Sequence, residues 1–164
     1  MPKKSVQPPN RREKIVSAAL GAFIENGIAP TTLREVAKRA RVDAPLIHYY
    51  FKDLESLHLA VISLVLEDLK EVSLHEASRW PNHPEKWMAA YVKAPLVWVR
   101  DRPELIFLWI YFYTLACRQG PFRNLNQEIR KTGRDRITLK IFEGIEKGVF
   151  KLAPGVSAAD AGLE

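Results

Sequence analysis

Four ring side chains in succession, His48, Tyr49, Tyr50 and Phe51, close a short segment that opens with Asp43 and Pro45. Successive residues of a helix point in different directions, so four consecutive rings cannot all face one core. Rings left outside offer hydroxyls, imidazole nitrogens and flat apolar faces, which suits contact with a nucleic acid better than bond-making. Bond-making candidates are few. Glu67, Glu71 and His75 fall at i, i+4 and i+8, a spacing that can place metal ligands on one helix face; charged residues so spaced read first as a solvated face. Cys117 is the single cysteine, which excludes an intrachain disulfide and a multi-cysteine zinc site. The sequence has no nucleophile elbow, glycine-rich phosphate loop or paired His/Cys site. An enzyme is therefore not expected, and neither a metal nor a cofactor is assigned.

The elements that must position the rings read as helices throughout, with no β-alternation and no repeat. Ile15, Val16, Ala19, Leu20, Phe23 and Ile24 mark one face of a first helix, stopped by Asn26-Gly27. A second runs from Thr32 to about Ala40, with Thr32 and Glu35 at capping-box spacing and Leu33, Val36, Ala37 and Ala40 as its inward stripe. Arg41-Val42-Asp43 is a turn. Asp43 is placed to cap a third helix whose first turn accepts Pro45, because an N–H missing there costs nothing. A long fourth helix, capped by Asp53, carries Leu57, Val61, Leu64, Val65 and Leu69 toward residue 76. "RWPNHP" breaks it. A fifth runs from about Pro84 to Arg100 with a bend expected at Pro95, a sixth from Pro103 to Cys117, and a seventh between Phe122 and Lys147 with Gly133 as its weak point.

With Val42 and Ile47 pointing inward, Tyr50 and Phe51 follow at i+3 and i+4 from Ile47 and lie on the core side, Phe51 deeper. Ala44, Pro45, His48 and Tyr49 are left facing outward. A capped helix, a tight turn and a helix with an exposed N-terminal half form the helix-turn-helix arrangement. Periodicity alone also allows an ordinary helical hairpin with surface aromatics.

Charge and length bound the rest. The 164 residues suit one domain or a small module joined to a larger one. Residues 1–60 hold ten Lys/Arg against six Asp/Glu, and the remainder fifteen against thirteen, so the net charge of +6 is concentrated at the N-terminal end. That excess points weakly to a polyanion. No apolar run is long enough to span a membrane, and "MPKKSVQPPNRR" lacks the apolar segment of a signal peptide, so a cytoplasmic, nucleoid-associated protein is expected.

Residues 11–59 resemble the DNA-binding domain of the TetR family of bacterial transcriptional repressors. An amphipathic helix ending "ENG" is followed by "TT", "VAKRA", "V", "HYYFKD" and "ESL" at family spacings. Four positions depart from the pattern. Arg41 stands where the family usually has Gly, Asp43 replaces a common Ser, His48 a common Tyr, and Leu54 a phosphate-binding Lys whose charge Lys52 is placed to supply. The resemblance implies that Thr32 and the N–H groups at its helix start bind phosphate. Ala44, Pro45 and Leu46 then lie against base edges, and His48 reaches a base or the backbone. Tyr49 and Tyr50 hold the backbone and fix register. Arg41 and Lys52, with Arg11 and Arg12, neutralise phosphates; Lys3 and Lys4 read as a plain tail.

Beyond residue 60 only the arrangement is similar. Trp80, Trp87, Trp98 and Trp109, with Met88, Phe107, Tyr111, Phe112 and Tyr113, crowd the fifth and sixth helices, and most are expected in the core. The family resemblance implies a pocket among these helices for a small hydrophobic or aromatic effector, with Trp87, Tyr91, Trp98, Trp109, Tyr113 and Cys117 as candidate lining residues. It also implies a homodimer on a palindromic double-stranded DNA operator, and two further helices after "EKGVF" that pair across the dimer axis. Only "KLAPGVSAADAGLE" remains there, so a short or truncated chain is expected, with Ile137, Ile141 and Ile145 as substitute pairing residues. The expected architecture is all-α: a basic arm (1–10), a three-helix DNA-binding domain (11–52), a helical effector-binding and dimerisation domain (53–150) and a tail (151–164). The competing reading is a helical adaptor that has lost specific DNA binding, for which Arg41 and Leu54 speak.

Overall fold

The computed structural model describes residues 10–118 and 120–157. Lys3, Lys4 and most of the expected arm and tail lie outside these. The described chain is helical, without strands: α1 Arg11–Asn26, α2 Leu33–Ala40, α3 Ala44–Tyr50, α4 Leu54–Ser78, α5 Pro84–Asp101, a 3-10 turn Pro103–Leu105, α6 Ile106–Ala116 and α7 Pro121–Glu146. It forms two compact units, Met1–Val65 and Leu66–Glu164, divided within α4 rather than at its start.

In the first unit, α1 packs on α2 and α2 on α3. Asn10 caps α1 in a reciprocal box with Glu13, and Gly27 ends it at φ 85°, a conformation that favours a residue without Cβ. Ile15, Val16, Ala19, Ala22 and Phe23 of α1 are buried, as are Val36, Ala37, Ala40, Ile47 and Phe51. Full burial of each larger apolar side chain contributes roughly 1.5–3 kcal/mol, so this small core suffices to hold two short helices that would not be stable alone. Ile24, expected inside, lies at the margin and is exposed. Thr31 is buried and donates its hydroxyl to the Gly27 carbonyl at 2.7 Å, closing the loop between α1 and α2.

Asp53 caps α4: the Ser56 N–H donates to its Oδ1 at 2.8 Å, and the Asp53 N–H returns a bond to Ser56 Oγ at 3.3 Å. The buried row of α4 runs Leu57, Val61, Val65, Ser73, Ala77, following the i+4 ridge. That row drifts around the helix, which is why Leu64, seven residues from Leu57, is exposed against expectation. Buried Ser73 satisfies its hydroxyl on the Leu69 carbonyl one turn back.

In the second unit α7 packs against both α5 and α6. Pro95 sits inside a continuous α5, where it leaves the Tyr91 carbonyl without its usual helical donor. Gly133 does not interrupt α7. A Cβ there would lie 3.9 Å from the Tyr91 hydroxyl, an ordinary van der Waals contact, so packing against α5 does not require the glycine. Trp98, Leu108, Phe112 and Phe122 are buried in this unit.

Candidate nucleic-acid interface

The candidate interface is built on the capped start of α2. Thr32 N–H donates to Glu35 Oε2 at 2.8 Å, and Glu35 N–H donates to Thr32 Oγ1 at 3.3 Å. The backbone donor of Thr32, and then its hydroxyl, hold the Glu35 carboxyl below its ordinary pKa. Two of the donors expected to meet a phosphate are thus engaged within the box, leaving those of Leu33 and Arg34 at the helix start.

α2 ends on Arg41 at φ 53°, ψ 51°, the one non-glycine residue with positive φ among the described residues. The left-handed position lets Arg41 N–H reach Lys38 O and Val42 N–H reach Ala37 O, closing the helix end. A glycine would adopt this conformation without strain; the arginine adopts it and projects an exposed side chain at the turn.

α3 begins after Asp43, which has no side-chain capping bond, contrary to expectation; Pro45 in the first turn removes one of the N–H groups it would have served. Ile47 is fully buried and anchors the helix, and Phe51, 2% exposed, closes it. Ala44, Pro45, His48 and Tyr49 are exposed on the opposite side of α3, at the i, i+1, i+4 and i+5 positions of one stripe, and Lys52, past the extended Phe51 that ends the helix, is exposed as well. Tyr49 is 80% exposed. Its ring meets Tyr50 edge-on, with centroids 5.0 Å apart, which orients the two phenols relative to each other. Leu46, Tyr50 and Leu54 are half-buried.

The cations near this face fall into two groups. Arg39 is engaged by Glu25, with Nη2 2.6 Å from Oε1, and Arg12 lies over the Phe51 ring at 5.2 Å. Arg12, expected on a phosphate, is exposed and lies against the ring that closes α3. Arg34, Lys38 and Arg41 are exposed at i, i+4 and i+7, and among the described residues no ion pair engages them. Arg34 and Lys38 were missed from sequence, although their spacing to Arg41 was there to read.

The six expected pocket residues are dispersed within the second unit. Trp98 is core, its indole N–H bonded to Asp68 Oδ2 at 2.6 Å. Trp87 stacks on Tyr91 with centroids 4.9 Å apart, and Lys140 Nζ lies 5.4 Å from the centre of the Trp87 ring. Trp109, Tyr113 and Cys117 come together with Ile106, Ile110 and Thr114 along one face of α6, which forms an open groove of about 450 Å³. Ile141 is buried and Ile137 and Ile145 are half-buried; the exposed large apolar side chains of α7 are Ile129, Leu139 and Phe142. Glu67 is paired with Lys70, and among the described residues no cluster of metal-ligating side chains forms. None of the described helices is long and apolar enough to cross a membrane.

Residues 15–61 match the sequence profile of the bacterial regulatory proteins of the tetR family. The chain is 30% identical over 125 residues to the HTH-type transcriptional regulator BetI of Rhizobium meliloti, an alignment covering 76% of this chain and 61% of the relative. The BetI protein of Agrobacterium fabrum is 31% identical over 125 residues, covering 76% and 60%. The chain spans about three fifths of the length of these curated relatives. The fold is similar to a TetR transcription regulator from Haloarcula marismortui, with TM-score 0.78, 23% identity, and coverage of 93% of this chain and 78% of that one. A regulator from Streptomyces coelicolor gives TM-score 0.69 at 23% identity, covering 92% and 93%.

Proposed function

We propose that this chain, which belongs to the TetR family, is a transcriptional regulator that grips double-stranded DNA through α3, represses from a palindromic operator as a homodimer, and is released by a small hydrophobic effector. The observation that carries the reading is the outward stripe Ala44, Pro45, His48 and Tyr49 on a helix anchored from behind by Ile47 and Phe51, with Lys52 exposed just past its end. Small apolar side chains at the start of such a helix fit against thymine methyls, and His48 supplies ring nitrogens for a base edge or a phosphate. Tyr49, Tyr50, Lys52 and Arg41 contact the sugar-phosphate backbone, together with Thr32 and the free N–H groups beside it.

One short helix contacts few base pairs, and two copies are needed to discriminate a site from a genome of competitors. Twofold pairing places the recognition helices roughly 34–36 Å apart, one turn of DNA. The effector site is the apolar face of α6, where Trp109 and Tyr113 line the groove with Cys117. The ligand acts only through its different affinities for the DNA-bound and released states. This activity belongs in the cytoplasm, at the nucleoid.

The test is selection of duplexes from a random-sequence library by the full chain, followed by footprinting. Enrichment of a twofold-symmetric sequence protected on both half-sites is expected. Enrichment of nothing would favour the adaptor reading, to which Arg41 and Leu54 lend support. Apolar ligands that quench Trp109 emission yet leave DNA affinity unchanged would remove the sensor from the proposal.

A further inference from the structure

The first half of α7 carries a row of arginines. Arg123, Arg130 and Arg134 fall at i, i+7 and i+11, which on a helix of 3.6 residues per turn sets them within about 20° of one line. Gln127 stands near the same line, and all four are exposed. From Arg123 to Arg134 the row is about 16 Å long by helix rise. Residues 121–134 hold four Lys/Arg against one Asp/Glu. That one, Glu128, is two residues from Arg130 and so lies on the opposite side of the helix, while Lys131 flanks the row. Among the described residues none of the three arginines enters an ion pair. Other cations of the same unit do: Lys140 and Lys147 share Glu143 at 2.6 Å each, and Arg79, Arg100 and Arg102 lie on Glu76, Asp101 and Asp68.

Helix stability does not account for the row. Arg123 is the third residue of α7, in a first turn that has no acidic residue, where the helix dipole disfavours a cation. Arg130 and Arg134 are like charges at i and i+4, a spacing that costs helix stability. We propose that this row is a further binding surface, sequence-independent, for the phosphate backbone of duplex DNA. The three cations are all arginine, whose planar fork holds a phosphate with two parallel hydrogen bonds. Along about 16 Å of duplex axis one strand carries about five phosphates, so a rigid row of that length offers each guanidinium a partner. Gln127 adds an amide donor within the row. A helix lying in a lipid surface needs large apolar side chains beside its cations, and this row has none on its line. The inference goes beyond the α3 reading and stands without it, since it concerns the second unit alone.

The experiment measures binding of the full chain to a short duplex of random sequence across a salt series. Every protein carries His48→Ala and Tyr49→Ala, which silence α3. Arg123→Gln, Arg130→Gln and Arg134→Gln are then combined; glutamine keeps helix propensity, and with like charges removed the melting temperature should stay equal or rise. The log–log salt slope should fall by about two to three units, and by about one for each single substitution. Affinity at low salt should fall about tenfold or more. Replacing the same three residues by lysine should keep the slope, since the number of charges is kept. An unchanged slope in the triple glutamine variant would overturn the inference. A variant that keeps its duplex slope but no longer binds phosphatidylserine vesicles, or polyglutamate, would overturn it too and assign the row to a lipid surface or an acidic protein. A wild-type chain that enriches no sequence from a random library, yet whose random-duplex slope falls with the three arginines, would remove the α3 reading and leave this inference standing.

Discussion

Arg39 lies across Gly21. A Cβ at Gly21 would fall 2.7 Å from Arg39 Nη2, and the guanidinium continues over the helix to Glu25, with Nη2 2.6 Å from Oε1. The end of the Arg39 side chain, from α2, lies over α1 at this glycine, and the pair of charges links the two helices. Gly144 has a comparable relation to Phe150, whose ring Cδ2 would lie 2.1 Å from an added Cβ. Yet the two glycines differ in what can yield.

Gly21→Ala displaces only the end of a flexible, half-exposed side chain. The helix interior gains about 1 kcal/mol from alanine, while loss of an exposed ion pair costs roughly 0–1 kcal/mol. A small net stabilisation is expected in urea titration. At Gly144 the obstacle is the ring of Phe150, whose backbone N–H donates to the Gly144 carbonyl at 3.0 Å, so the residue is held close and its ring cannot move away freely. Gly144→Ala should destabilise by about 1–3 kcal/mol, the usual cost of overpacking. A stabilised Gly144→Ala variant would show that Phe150 does not hold this position in solution.

Arg41→Gly should move stability and function in opposite directions. Relief of the left-handed strain should raise unfolding free energy by up to about 1 kcal/mol. Loss of the guanidinium should weaken all DNA sequences alike and reduce the log–log salt slope by about one unit. Equal DNA affinity in Arg41→Gly would remove Arg41 from the phosphate contacts.

His48→Ala and Tyr49→Ala alter side chains that face solvent and should leave the melting temperature nearly unchanged. Each should weaken binding of an enriched duplex, by ~1–3 kcal/mol where the lost contact is to a base. Lys52→Ala should instead lower the salt slope without altering sequence preference. Unchanged affinity in both ring variants would show that α3 does not enter the groove.

Acid should act on the two units in different pH ranges. Burial lowers the His58 pKa below its ordinary 6.5; its ring lies edge-on to Phe23, with centroids 5.0 Å apart. The folded first unit thus favours neutral imidazole, so His58's contribution is present above 6.5 and is lost as pH falls below it. In α7, hydrogen bonds from Lys140 and then Lys147 lower the Glu143 pKa from 4.5 to about 2. Its contribution is complete above 4.5 and lost as pH falls toward 2. His58→Phe should flatten the decline of stability just below neutrality, and Glu143→Gln the decline below 4.5. Thermal melts across pH that retain both declines in the variants would contradict these assignments.

The helices were legible because their signals are local. Asn26-Gly27 stops α1, the Thr32–Glu35 box starts α2, Asp53 caps α4, and apolar spacing identifies Ile47 and Phe51 as the buried side of α3. The exposed stripe on α3 follows by elimination, since a seven-residue helix with one buried face has few other choices. Tertiary structure decided what depends on neighbours distant in sequence. Arg12 reads as a phosphate-binding cation until Phe51 is brought beside it, and nothing local in the sequence pairs Arg39 with Glu25. Leu64 is apolar at a helical spacing, but the buried row of α4 follows the i+4 ridge past it. Trp98 and Trp109 are alike in sequence; one meets Asp68 in the core and the other lines an open groove. Periodicity specifies the direction of a side chain on its own helix, whereas the atoms it meets depend on the path of another helix.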